Sequence, residues 1–167
     1  MAAVKRDEDR VILQLALRTG YRIDDLLSSK LWDWHYLEKN VRIREHKTGK
    51  ERSAPIDDET LDLCSALMDI RRERGAATDW LIPSRRRRCN GHLSRATIWR
   101  AWTAAVRAAG YAGMGYTVHS LRKCYAVRLY HRTHNMAAVQ AALNHDRITT
   151  TLLYLQDYFE DQARNEG

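Results

Sequence analysis

Leu143-Asn144-His145-Asp146-Arg147-Ile148-Thr149-Thr150-Thr151-Leu152-Leu153-Tyr154 is the stretch on which the fold turns. His145 and Tyr154 stand nine positions apart. At about 100° per residue, one helix running through both would place them on opposite faces. They converge only if the helix begins between them. Asn144-His145-Asp146 supplies such a beginning, with Asp146 as N-cap and His145 in the preceding turn. The expected helix spans 147–155, which leaves Tyr154 near its end and a short polar tail from Gln156 onward. Taken alone, Tyr154 is one of eight tyrosines and reads as half-buried core.

Outward from that stretch the chain is mostly helical. His119-Ser120-Leu121-Arg122 opens a helix over 119–132, and a further helix covers 135–143. His119 and Arg122 are three apart and so share a face. With Thr117 or Ser120 as a cap, that face lies at a helix N-terminus, which suits a phosphate; without such context the pair is a surface histidine and arginine. Ser94 caps a helix to Ala109, closed by Gly110. Near the start, Val11, Leu13, Leu15 and Leu17 among charges indicate a helix over 7–18, with Gly20 as its stop. Asp24 and Asp25 begin a short helix to about Ser29, so Arg22 sits at the junction.

The pattern changes over 32–56. Asn40-Val41-Arg42-Ile43-Arg44-Glu45 alternates polar and apolar, Glu51-Arg52-Ser53-Ala54-Pro55-Ile56 does so weakly, and Lys47-Thr48-Gly49-Lys50 turns between them. A first strand is expected near 34–37. Asp57 then caps a helix to about Arg74, with Leu61, Leu63, Leu67, Met68 and Ile70 as core candidates. The fold class is α+β: a mostly helical single domain with a small antiparallel three-stranded sheet.

At 167 residues the chain fits one domain, and 44% hydrophobic content argues against wholesale disorder. Lys and Arg number 28 against 21 Asp and Glu, a net charge of +7 that favours a polyanionic partner. The charge does not choose between DNA, RNA and an anionic membrane surface. No stretch approaches the roughly 20 apolar residues of a membrane span, and the first residues lack the apolar core of a signal peptide. Cys64, Cys89 and Cys124 are odd in number, widely separated and without CxxC spacing, which disfavours a disulfide framework or a zinc knot. His131 and His134 have no carboxylate or thiol nearby to complete a metal set and read as surface or DNA-backbone residues. No cofactor and no metal are expected, and the chain reads as a soluble protein of the cytoplasm.

Several cations look placed for a nucleic acid. Lys47 sits in the hairpin turn beside Arg44, Lys50 and Arg52. A turn lysine is ordinarily just solvated, but an ammonium dipping among phosphates can also protonate a leaving oxygen. The run Arg85-Arg86-Arg87-Arg88 fits backbone contacts or a solvated loop, and Ser94, Arg95 and Arg100 extend the candidate DNA-contacting set. Tyr154, Arg22, Arg122, His119 and His145 add a phenol, two guanidiniums and two imidazoles to the same basic chain. Those are the parts needed to break and rejoin a phosphodiester without a metal.

Thr19-Gly20-Tyr21-Arg22, Lys47-Thr48-Gly49, His119-Ser120-Leu121-Arg122, Leu143-Asn144-His145 and Thr150-Thr151-Leu152-Leu153-Tyr154 occur in that order. In that order and spacing they closely resemble the catalytic domain of tyrosine recombinases, the phage-integrase family, over about residues 10–156. Each motif alone is weak; together they are hard to obtain by chance. The resemblance implies that Arg22 is the family's first arginine and Lys47 its β-hairpin lysine. It likewise implies that His119 and Arg122 form its HxxR box, that His145 is its second histidine position, and that Tyr154 is its nucleophile. Asp25 stands where the family usually has Glu, which shortens the carboxylate supporting the first arginine. Asn144 stands where it usually has Gly, and Asn tolerates the left-handed backbone nearly as well. Eighteen residues precede the first motif at Thr19, so the helical domain that closes such recombinases around DNA is expected to be absent from this chain.

The function implied is site-specific recombination or integration by a prokaryotic or phage-encoded, nucleoid-associated enzyme of a mobile element. Double-stranded DNA would be its partner, with a homotetramer on DNA and a monomer possible in solution. Tyr154 would attack the scissile phosphate to give a 3′-phosphotyrosyl bond, which conserves the phosphodiester energy without ATP or metal. Three alternatives stay open: a type IB topoisomerase-like relaxing enzyme, a DNA-binding module or decayed integrase relative without chemistry, and a metal-dependent nuclease. A cluster of carboxylates near the histidines would favour the last, and none is visible.

Overall fold

The computed structural model describes residues 4–86 and 91–165. Helix α1 (Asp7–Thr19) carries Asp7, Glu8 and Asp9 in its first turn and Arg18 in its last, each charge opposing the nearby pole of the helix dipole. It ends at Gly20, whose φ of 62° is left-handed and whose N–H reaches Ala16 O at 3.0 Å. The short α2 (Ile23–Leu27) follows at once, with Arg22 as its N-cap position. A 3₁₀ turn (Leu31–Asp33) leads into the sheet.

The sheet is antiparallel in the order β1 (Trp34–His35), β2 (Asn40–Arg44), β3 (Glu51–Pro55). Val41 faces Ala54 and Ile43 faces Arg52. Alternation sends Val41, Ile43 and Glu45 to the buried side of the second strand and its extension, and Arg52, Ala54 and Ile56 to that of the third. The expected first strand over 34–37 is shorter in the structure, since Tyr36 onward turns back toward β2.

Asp57 caps α3 (Asp58–Glu73) by accepting the Thr60 N–H at 2.8 Å. Helix α4 (Arg95–Ala108) follows Ser94, whose Oγ lies 2.9 Å from Thr97 Oγ1 and makes no cap bond to the backbone. Then come α5 (Ser120–Thr133), α6 (Met136–Ala142), capped by Asn135, and α7 (Ile148–Asn165). Helix α1 packs on α3 and α5, and α5 on α6 and α7.

One core cluster gathers α1, the sheet, α3 and α4. A smaller one joins Tyr125, Ala126, Val139, Leu143 and Leu155, with Tyr130 and Phe159 against it. The second cluster corrects the expected end of α7. The chain after Gln156 is not a tail: the helix continues to Asn165 because Leu155 and Phe159, four apart, give it an apolar stripe to bury against α5. Tyr154 is therefore in the helix's second turn rather than near its end. Asp146 is not its cap either, as the helix begins at Ile148 and the Asp146 carboxylate pairs with Lys50 Nζ.

Candidate active site

Four segments converge beside α5. Arg22 comes from the α1–α2 junction, Lys47 from the β2–β3 turn, and His119 and Arg122 from the start of α5. All four line a cleft of about 430 Å³, together with Tyr21, His46, Arg95 and Trp99. His145, from the α6–α7 turn, and Tyr154, from α7, close its flank through contacts with His119 and with each other.

The tyrosine is gripped from two sides. His119 Nε2 lies 2.6 Å from Tyr154 Oη. The ring of His145 stacks on that of Tyr154, centroids 4.9 Å apart and planes 14° from parallel. His145 Nδ1 lies 3.1 Å from Thr151 Oγ1 on α7, a buried hydroxyl that sets the ring's orientation. Its Nε2 is buried and has no hydrogen-bond partner within the protein. Partial burial and the nearby charges of Arg122 and Arg22 lower the pKa of His119. Burial and the same two arginines push His145 down to about 4. Both imidazoles are therefore neutral at pH 7, and each can hold one proton donor and one acceptor.

Arg122 is 1% exposed. Its Nη1 donates to Gly20 O at 2.7 Å and its Nη2 to Leu143 O at 2.6 Å, so the guanidinium is locked between the end of α1 and the end of α6. Its Nε keeps no hydrogen-bond partner in the protein. Burial, then the charges of Arg52 and Arg22, draw its pKa down to about 10, well above neutrality. Arg22 is held by Glu45, with Nη1 2.6 Å from Oε1 in an ion pair that is not aligned as a hydrogen bond. Burial works against the Glu45 carboxylate, but Thr48 and Arg22 in contact with it and the charge of Arg122 outweigh that, and its pKa lies below the usual value. Asp25 behaves oppositely: burial raises its pKa despite the His46 N–H that donates to it.

The left-handed backbone at Asn144 has a φ of 53°, so Asn takes the conformation that Gly would take. Its Nδ2 donates to Glu45 Oε2 at 3.3 Å.

The candidate DNA-contacting residues divide. Arg44 and Arg86 are exposed, and Arg100 is exposed near Lys5 and Arg6. Arg95 is exposed at the cleft and pairs with Asp24 at 3.0 Å. Lys50 pairs with Asp146, and Ser94 with Thr97. Arg85 pairs with Glu8 and Asp9 on α1. Arg87 and Arg88 lie outside the described residues.

Arg52 needs correction: it is 3% exposed and, unlike the equally buried Arg122, does not line the cleft, so it is not placed to meet a DNA backbone. Its Nη2 donates to Thr19 O and its Nε to Ala142 O, each at 2.5 Å, and its guanidinium lies 4.1 Å from the ring centre of Tyr21. The inward alternation of β3 puts it there. Glu45, which the sequence reading passed over, follows from the same rule, as the third inward position after Val41 and Ile43. Among the described residues, no group of three or more His, Cys, Asp or Glu side chains is arranged to hold a metal ion, and no helix is long and apolar enough to cross a membrane.

The sequence model of the phage integrase family matches residues 1–161. Tyrosine recombinase XerA of Pyrococcus furiosus is 30% identical over 146 residues, covering 87% of this chain and 49% of that protein. Tyrosine recombinase XerD of Rhizobium meliloti is 29% identical over 159 residues, covering 92% and 50%. The chain thus spans about half the length of the curated relatives it matches. Among solved structures, XerH site-specific recombinase bound to palindromic difH substrate superposes with a TM-score of 0.78 at 23% identity, over 99% of this chain and 46% of that one, and so shares the fold. A lambda integrase dimer bound to a COC′ core site gives a TM-score of 0.70 at 27% identity, over 92% and 54%.

Proposed function

The chain belongs to the phage integrase family, and on that premise we propose that it cuts and rejoins one strand of duplex DNA through Tyr154 during site-specific recombination. The observation that carries this reading is the 2.6 Å contact between the Tyr154 hydroxyl and His119 Nε2, beside the locked guanidinium of Arg122.

Tyr154 Oη attacks the scissile phosphorus while the bond from phosphorus to the 5′-oxygen breaks. The phenolic proton passes to His119 Nε2, which accepts it in the tautomer protonated on Nδ1. The departing 5′-oxygen takes a proton from Lys47 Nζ. A 3′-phosphotyrosyl ester and a free 5′-hydroxyl result, and attack by a 5′-hydroxyl reverses the sequence and reseals the strand. Arg22 and Arg122 hold the non-bridging oxygens, where charge accumulates. Loss of one such donor typically costs about 10²–10³ in rate. His145 supports the tyrosine ring by stacking and, protonated on Nε2, offers that N–H to the phosphate.

Arg44, Arg86, Arg95 and Arg100 supply exposed cations for the DNA backbone. Strand exchange between two duplexes calls for four active sites, hence a homotetramer on DNA assembled from monomers, working with the nucleoid of a prokaryotic or phage-infected cell. The reading is tested with nicked duplexes from the DNA flanking this reading frame, incubated in EDTA with wild type and Tyr154→Phe. An SDS-resistant protein–DNA adduct with wild type alone supports it. Equal DNA binding with no adduct from either protein favours a binding module without chemistry.

A further inference from the structure

The carboxylate that holds Arg22 is not the one nearest to it in sequence. Asp25 lies three residues on, yet its Oδ2 is 3.9 Å from Arg22 Nη1, and its Oδ1 accepts the His46 N–H at 2.8 Å. Glu45 Oε1 is 2.6 Å from the same arginine nitrogen and 3.8 Å from Arg122 Nη1. Its other oxygen accepts from Thr48 Oγ1 at 2.9 Å and from Asn144 Nδ2 at 3.3 Å.

Glu45 is 0% exposed. A buried carboxylate is costly to maintain unless cations and donors surround it, and this one draws its partners from four separate segments. Each segment carries a candidate for the chemistry: Arg22 itself, Arg122 itself, Lys47 next to Thr48, and His145 next to Asn144. Arg22 and Arg122 also repel one another, and an anion between them is what keeps both side chains at one cleft.

We propose that Glu45 is the positioning residue of this site: it fixes the two arginines, ties the Lys47 turn and the His145 turn to them, and carries the support that Asp25 is too short to give. The inference rests on the strand-transfer reading above. Glu45 does not touch the reacting atoms. It acts on the transition state by placing groups that do, and a misplacement of about 1 Å can cost about 10²-fold in rate.

The test compares wild type, Glu45→Gln and Asp25→Asn, both variants being close in shape to the native side chain. Covalent adduct formation is followed under single turnover at saturating protein, and the Kd for the same duplex is read by anisotropy. Glu45→Gln is expected to form adduct about 10²-fold more slowly with Kd within about threefold of wild type, a split that marks lost transition-state positioning rather than lost binding. Asp25→Asn is expected to cost at least about tenfold less than Glu45→Gln. A Glu45→Gln rate within about threefold of wild type, or an Asp25→Asn rate as slow as that of Glu45→Gln, overturns the proposal.

Should Glu45→Gln lose its cooperative unfolding transition, Thr48→Ala and Asn144→Ala take its place, each removing one anchor of the carboxylate. Slowing of about tenfold in each supports the role, and wild-type rates in both overturn it. Wild type that binds DNA yet forms no adduct overturns the strand-transfer reading, and this inference with it.

Discussion

His119 Nε2 and the hydroxyl of Tyr154 lie 2.6 Å apart, joining the start of α5 to the second turn of α7. Two residues 35 positions apart in sequence thus form one acid–base pair. Their separation is already that of a proton transfer, before any phosphate is engaged.

That pairing fixes the sign of a pH dependence. His119 accepts the phenolic proton only when neutral, and partial burial with the charges of Arg122 and Arg22 lowers its pKa. The acid-side decline in adduct formation should therefore fall at lower pH than an ordinary imidazole would give. His119→Ala should slow the step by about 10²–10⁴ at pH 7 and remove that acid limb. Single-turnover rates from pH 5 to 8 check both; an acid limb unchanged in the variant would assign it to another group.

His145 predicts a pH-dependent stability. Its pKa is about 4 in the folded protein against 6.5 for a free imidazole. Between those values the unfolded chain binds a proton that the folded one does not. The stabilisation is complete above about pH 6.5 and is lost as pH falls toward 4. By pH 5 the loss from this group is on the order of 2 kcal/mol. Urea unfolding of wild type and His145→Gln at pH 7 and pH 5 should show a smaller drop in the variant.

Gly20 is constrained twice over. Its φ is 62°, and a Cβ there would lie 2.6 Å from Tyr125 Cγ. Gly20→Ala should destabilise the fold by roughly 2–4 kcal/mol, combining left-handed strain with overpacking. Because the Gly20 carbonyl also accepts from Arg122, adduct formation should slow even at temperatures where the variant stays folded. Denaturant titration and single-turnover rates on one preparation test the two effects.

Arg52 and Arg44 should behave oppositely although they flank the same hairpin. Arg52→Met removes the donors to Thr19 O and Ala142 O and should cost about 3 kcal/mol of stability. It should leave the salt dependence of DNA binding unchanged. Arg44→Ala, at an exposed site, should leave stability within about 0.5 kcal/mol and reduce the salt slope by about 1. Binding isotherms over a salt series, paired with urea titrations, separate them; a reduced slope in folded Arg52→Met would place that side chain on DNA after all.

Much of this architecture was legible in the chain. The period of α1, the stop at Gly20, the Asp57 cap and the Lys47 turn each rest on local rules that tertiary context did not override. Asn144 could be read as left-handed because Asn is among the few side chains that tolerate it. The extension of α7 was not legible, since Tyr158 and Phe159 acquire a reason to be helical only once α5 lies beside them. Glu45 and Arg52 were missed for a different reason: their charge suggested solvent, whereas their place in the strand alternation sent them inward. Strand parity outweighed charge because each was buried with its partners: two arginines for Glu45, and two backbone carbonyls and an aromatic face for Arg52.

The most direct test of the account identifies which atom becomes attached to DNA. Adduct formed on a nicked duplex in EDTA would be digested and its nucleotide-bearing peptide sequenced by mass spectrometry, and the released DNA end tested for labelling by polynucleotide kinase. The account predicts a nucleotide 3′-phosphate on Tyr154, alone among eight tyrosines, and a 5′-hydroxyl that accepts label. Attachment at another residue, a 5′-linked adduct, or bound DNA that never becomes attached would contradict it.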